Sequence, residues 1–185
     1  MRDTLAELLA EICKDVKVEP MLLPVTGEEL STGTNVSKGA RADVSAIGLW
    51  QPMNRAFLDV KVFNPFALSN ASKDLAQVYQ QQEKSKKALY NEKIIEVEKG
   101  TFTPVIFNCT GGASTEATKL LKVIATKLAS KRNETYPATM NFVRQRLSFD
   151  ILRTWVISFR GDRGARGDFP IEDLDFGLQE MEVYQ

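Results

Sequence analysis

Two charges interrupt an apolar run in "AFLDVKVFNP" (residues 56–65), where Asp59 and Lys61 sit among Phe57, Leu58, Val60, Val62 and Phe63. The run reads as a strand packed on both faces. Strand side chains alternate, so residues two apart share a face. Burying a carboxylate or an ammonium is costly unless something compensates it. A plain ion pair between Asp59 and Lys61 is one answer. A divalent cation is the other, and Asp43 in "ARADVSAIG" supplies a second carboxylate. Mg²⁺, or Mn²⁺ as a substitute, takes oxygen ligands, few of them from protein and the rest from water or phosphate. Asp43 and Asp59 would provide carboxylate oxygens, and Val60 its carbonyl. Lys61 would orient or deprotonate an attacking water and neutralise charge building on phosphorus. The chemistry that follows is phosphodiester hydrolysis. The chain has no His, which removes His-based triads, HExxH zinc chemistry and any imidazole general base.

Three elements must position these groups, and their register decides whether they meet. "RADVSAIGLW" (41–50) and "RAFLDVKVF" (55–63) read as a hairpin across the turn "QPMN". A four-residue connection would set Asp43 opposite Val62, on the wrong face. An odd connection or a bulge would bring it to the face of Asp59, for instance opposite Lys61 with Ser45 opposite Asp59. The site reading therefore requires an odd connection or a bulge.

The remaining elements follow from periodicity. Residues 4–15 predict a helix with Leu5, Leu8, Leu9 and Ile12 inward, capped by Asp3 or Thr4. Residues 16–25 predict a first strand, interrupted at Pro20 and so bent or near an edge. The Gly/Ser/Thr-rich residues 26–40 predict a long loop, mobile or functional. Ser72 is a cap for a helix over 73–92, with Leu75, Val78, Tyr79, Gln82, Ala88 and Leu89 as its inward stripe. Residues 102–109 predict an apolar strand and 115–131 an amphipathic helix. Residues 140–161 predict a long helix with Phe142, Val143, Leu147, Ile151, Leu152 and Trp155 inward. Trp50, Phe63 and Phe66 read as core, and "TGGAST" as a strand-to-helix turn. The order is helix, three strands, helix, strand, helices. It predicts an α/β three-layer sandwich with a mixed central β-sheet flanked by helices. Residues 1–161 read as one domain, and 162–185 as an acidic, mobile tail.

At 43% hydrophobic and 26% charged, 185 residues suffice for one domain with a core. No apolar run is long enough to span a bilayer, and the acidic, amphipathic start is no signal peptide. Cys13 and Cys109 read as reduced thiols of an intracellular protein, cytoplasmic or nuclear. Lys plus Arg (24) equals Asp plus Glu (24), which argues against indiscriminate polyanion binding. Local basic surfaces remain: Lys84 and Lys87 on the polar helix, and Arg144 and Arg153 on the long one, are placed to meet a phosphate backbone.

An Asp followed, about a hairpin later, by Asp-x-Lys and then a polar helix resembles the PD-(D/E)XK nuclease superfamily, which has the restriction-endonuclease-like fold. The likeness covers residues 4–131. It implies that Asp43 and Asp59 bind Mg²⁺ and that Lys61 serves the water. It also implies an acid from the first helix, Glu7 or Glu11, and a helix residue such as Gln80, Gln77 or Lys84. The residue before Asp43 is Ala42, where that family carries Pro. A closer likeness, carried by "RADVSAIGLW…RAFLDVKVFNPFA", "YNEKIIEVEKGTFTPVIFNCTGG" and "MNFVRQRLSFDILRTWVISFRG", is to the C-terminal part of uncharacterised proteins that accompany mobile elements. Together they imply a metal-dependent deoxyribonuclease, endo- or exonucleolytic, in recombination, repair or mobile-element processing. The chain would then be a domain of a longer protein or a stand-alone relative. A homodimer would supply a site for each DNA strand. The contrasting expectation is an inactive nuclease-like module that binds DNA or protein, in which Asp59 and Lys61 merely pair.

Overall fold

A computed structural model describes residues 1–70 and 72–159, with side chains described to residue 157. The order is α1 (Arg2–Ile12), β1 (Lys14–Val18), β2 (Val44–Ile47), β3 (Arg55–Phe63), a short 3₁₀ turn (Leu68–Asn70), α2 (Leu75–Glu96), β4 (Thr101–Asn108), α3 (Thr115–Arg132) and α4 (Tyr136–Phe159). The strands form one mixed sheet in the order β1-β2-β3-β4. β1–β2 and β2–β3 are antiparallel, whereas β3–β4 is parallel, with α2 as the crossover.

The two sheet faces are visible in β3. Its even positions, Ala56, Leu58, Val60 and Val62, join the main core with Leu5, Leu8 and Leu9 of α1, Leu120 and Ile124 of α3, and Val143 and Leu147 of α4. Its odd positions face α2. Phe57 packs with Ile94, Phe102 and Leu22, while Phe63 packs with Val78 and Ile106. Helices thus cover both faces, α2 on one and the other three on the opposite one. The α2 side holds two separate apolar clusters, and Asp59 and Lys61 fall between them. Their position in an apolar run has this local reason: both faces of β3 are covered, but the middle of one face is a polar slot.

The β2–β3 register satisfies the odd-connection condition in its own way. Ile47 pairs with Arg55 and Val44 with Leu58, so the connection is residues 48–54, seven in number. The pairs end at Val44 with Leu58, Ser45 lies opposite Phe57, and Asp43 N donates to the carbonyl of that same Leu58. The predicted pairing of Ser45 with Asp59 is therefore shifted by two residues, and Asp43 lies outside the ladder, where its flanking residues Ala42 and Val44 join clusters on opposite faces of the sheet.

Several boundaries differ from expectation. α1 begins and ends earlier, because Cys13 is extended (φ −122°, ψ 169°) and the chain passes directly into β1; Met1, not Asp3 or Thr4, is the N-cap, with no side-chain bond. β1 is a bulged edge strand that stops at Glu19, whose φ of 49° leaves the strand region, and Met21 makes only an isolated bridge to Arg41. α2 is capped by Asp74, whose carboxylate accepts from Ala76 N, rather than by Ser72. Residues 26–40 are tied to α2: Glu92 accepts from Ser31 N and Thr34 Oγ1, and Asn35 N donates to Leu89 O.

In α4 the inward residues are Met140, Val143, Leu147 and Ile151. Leu152 and Trp155 are 51% and 43% exposed, because the 24-residue α4 outruns the 18-residue α3 it packs against. Phe66, expected in the core, is 78% exposed. Both thiols are free and half-buried. No helix among the described residues is long and apolar enough to cross a membrane. The acidic tail, residues 162–185, lies outside the described residues.

Candidate active site

Asp43 occupies a bend just before β2. β2 has ended there, and the next backbone group of β3 needs a partner. Asp43 supplies it: Val60 N donates to Asp43 Oδ2 at 2.6 Å, while Asp43 N donates to Leu58 O at 3.0 Å. The carboxylate replaces a ladder bond and is fixed against β3 beside Asp59. In an extended strand the N–H and C=O of one residue point to the same edge. The Val60 carbonyl therefore faces the edge that Asp43 caps.

Asp59 is buried, its side chain 8% exposed, and its Oδ2 lies 2.6 Å from Lys86 Nζ of α2. Burial pushes the Asp59 carboxyl above the ordinary carboxylate range. The Lys86 ammonium pulls it back, the Asp43 anion adds to the rise, and Lys61 opposes it with the smallest influence of these. The ion pair that a bland reading expects between Asp59 and Lys61 is not the one that forms. Lys61 is half-buried on the same strand face and, among the described residues, enters no ion pair. Its ammonium is left available next to the two carboxylates.

Lys86 is the residue that sequence reasoning missed. The resemblance pointed to Gln80, with Gln77 or Lys84 in reserve, but all three are exposed. The side chains of α2 that meet the sheet include Val78 and Tyr79 at one end, Lys86 in the middle, and Tyr90 and Ile94 at the other, and Val78, Gln82, Lys86, Tyr90 and Ile94 form a row at spacing four. Such a row is one of the natural ridges of a helix surface. Its two ends are the residues that close the apolar clusters, and its middle lies over Asp59. The expected stripe instead jumped from Gln82 to Ala88 and Leu89, which are exposed. A spacing of four through the polar middle of the helix was the available signal.

The first helix contributes no acid here. α1 packs on the opposite face of the sheet. Glu7 is ion-paired to Arg146 at 2.5 Å, and Glu11 accepts from Arg132 at 2.9 and 2.5 Å. The charge of α1 that Asp43 influences is the Arg2 guanidinium. The expected basic contacts do not share a surface either. Lys84 and Lys87 lie on α2, where Lys87 pairs with Glu116 at 3.2 Å. Arg144 and Arg153 lie exposed on α4, across the sheet. Arg144 and Lys122 rim a groove of about 370 Å³ between α3 and α4, floored by Phe107, Leu121 and Leu147. That groove is on the face away from Asp59, so the groove and the carboxylates are separate features.

The donor set has a definite character. Among the described residues no three His, Cys, Asp or Glu gather to hold a metal. Two carboxylates alone do not make an all-protein cage of the kind Zn²⁺ or Ca²⁺ occupies. They suit Mg²⁺, which keeps several waters and is held by one or two carboxylates together with substrate phosphate. No protein-family model, no curated protein and no solved structure matches the chain.

Proposed function

We propose that the chain is a Mg²⁺-dependent deoxyribonuclease of restriction-endonuclease-like fold, with its site at Asp43, Asp59 and Lys61. The observation that carries this reading is the carboxylate of Asp43 bonded to Val60 N–H, next in sequence to the buried Asp59, with Lys61 on the face of Asp59 and in no ion pair among the described residues. The order αβββαβ, with a parallel β3–β4 pair, supports the same fold. Asp43 and Asp59 would hold the cation, with the Val60 carbonyl at the same edge. A bound Mg²⁺ supplies Lewis-acid polarisation of the phosphoryl group and eases deprotonation of water. Lys61 would hold the attacking water and offset the charge that grows on the phosphoryl oxygens. The Phe57 and Phe63 clusters on either side of the slot exclude bulk water, which strengthens these interactions.

The test is cleavage of plasmid, linear, single-stranded and branched DNA by pure protein with Mg²⁺ or Mn²⁺. Activity is expected on at least one substrate, and it is expected to vanish in Asp59→Asn and Lys61→Met. Failure to cut any of them would leave a second reading in place: an inactive nuclease-like module. The Lys86–Asp59 ion pair favours that reading, because it offsets the charge of the buried carboxylate without a metal.

A further inference from the structure

Two carboxylates, Asp59 and Asp43, and two ammoniums, Lys86 and Lys61, act on one another around Asp59. These four form a group whose formal charges sum to zero. A divalent cation added to it brings two uncompensated charges next to Lys86, whose Nζ already occupies Oδ2 of Asp59 at 2.6 Å. A cation bonded to that oxygen and an ammonium hydrogen-bonded to it would repel one another at close range. A phosphodiester restores the balance, because it brings the anion that the displaced ammonium then needs.

We infer that Lys86 is a displaceable counter-ion on Asp59, which makes metal loading depend on the arrival of a phosphate-bearing substrate. This rests on the metal-nuclease reading above and adds the coupling. The structure provides the means. Lys86 is on the helix rather than on the strand, so its long side chain can swing without moving β3. Its side chain is 21% exposed, against 8% for Asp59, so solvent reaches the lysine side chain more than the carboxylate it pairs with. The Tyr90 ring, one helical turn on, has its centroid 5.8 Å from the ammonium and offers the cation an aromatic face as it leaves the carboxylate. Lys61 lies on β3 between the two apolar clusters and, among the described residues, enters no ion pair. The two lysines therefore divide the work: Lys61 stays with the reacting centre, and Lys86 exchanges Asp59 for the incoming phosphate.

The experiment is calorimetric titration of Mn²⁺ into wild type, Lys86→Met, Lys86→Arg and Asp59→Asn, with and without a short phosphorothioate DNA duplex. Circular dichroism melts confirm that each variant folds. Without DNA, Lys86→Met is expected to bind Mn²⁺ about tenfold more tightly than wild type, with Lys86→Arg close to wild type and Asp59→Asn binding none. With the duplex, wild type is expected to gain about tenfold or more in Mn²⁺ affinity, within the usual range of coupling between two ligands, and Lys86→Met distinctly less. Equal or weaker Mn²⁺ binding by Lys86→Met would overturn the inference while the Asp59-dependent binding of wild type kept the metal reading alive. No gain from DNA in wild type would overturn the coupling. Absence of Mn²⁺ binding in wild type and Lys86→Met alike would overturn both readings.

Discussion

Lys86 of α2 and Asp59 of β3 form an ion pair 2.6 Å apart across the interface between the helix and the sheet, and it is the polar link between two apolar clusters. Neither partner is fully buried and neither is free, so the pair lies between surface salt bridges, worth about 0–1 kcal/mol, and buried ones, whose breakage costs about 3–5 kcal/mol. Lys86→Met is expected to destabilise the protein by about 2 kcal/mol, because it leaves the buried Asp59 carboxylate without its counter-ion. Asp59→Asn in the same chain should recover most of that loss. Urea denaturation of wild type, both single variants and the double variant measures the coupling. Additive losses would show that the pair contributes nothing.

Asp43 is expected to have two separable roles. Asp43→Ala removes the acceptor for Val60 N–H and should cost about 1–2 kcal/mol of stability. Asp43→Asn keeps an acceptor oxygen and loses only the charge, so its stability should stay within about 0.5 kcal/mol of wild type, while metal-dependent cleavage falls at least as far as in Asp43→Ala. The comparison of denaturation midpoints with cleavage rates separates the strand-capping role from the electrostatic one.

Two carboxylates should give stability slopes of opposite sign with pH. Arg132 holds the Glu11 carboxyl below its ordinary range. Glu11 therefore contributes stability that is present above its unfolded pKa and is lost as pH falls through its lower folded value. Burial holds the Asp59 carboxyl above its ordinary range. Its native state retains the proton more firmly than the unfolded chain does, so its contribution declines as pH rises from the unfolded pKa to the raised one. Glu11→Gln should flatten the acid-side loss of stability, and Asp59→Asn should become relatively more stable than wild type as pH rises through that window. Melting temperatures across the acidic range, compared with wild type at each pH, check both signs.

Gly100 joins the end of α2 to β4 where there is no room for a side chain. A Cβ at Gly100 would stand 2.7 Å from the Arg55 carbonyl oxygen and 2.9 Å from Phe57 Cε2. The first of these neighbours is backbone at the start of β3 and cannot simply rotate away. Gly100→Ala is expected to destabilise by about 1–3 kcal/mol, the range for overpacking, and to disturb the Phe57 cluster. A lowered denaturation midpoint with an altered near-ultraviolet aromatic signal is the expected result.

The sequence alone determined the parts that local physics controls. β3 runs from Arg55 to Phe63 as read from its apolar run, and β4 and α3 lie within a residue of their expected ends. Their apolar density and clear caps leave few alternatives. The same run identified Asp59 and Lys61, since two charges in a doubly covered strand need a reason wherever the rest of the chain goes. The tertiary structure decided everything that depends on how elements lie across one another. The bend before β2 left Asp43 outside the ladder, with its carboxylate on Val60 N–H. Placing α1 on the far face gave Glu7 to Arg146. The line along which α2 crosses the sheet chose Lys86 over Gln80, Gln77 and Lys84. A helix with polar residues all round its middle has no strong local preference for which row it turns inward. Apolar anchors at its two ends, Val78 and Ile94, set that line, and their partners Phe63, Phe57 and Phe102 come together only when the sheet has formed.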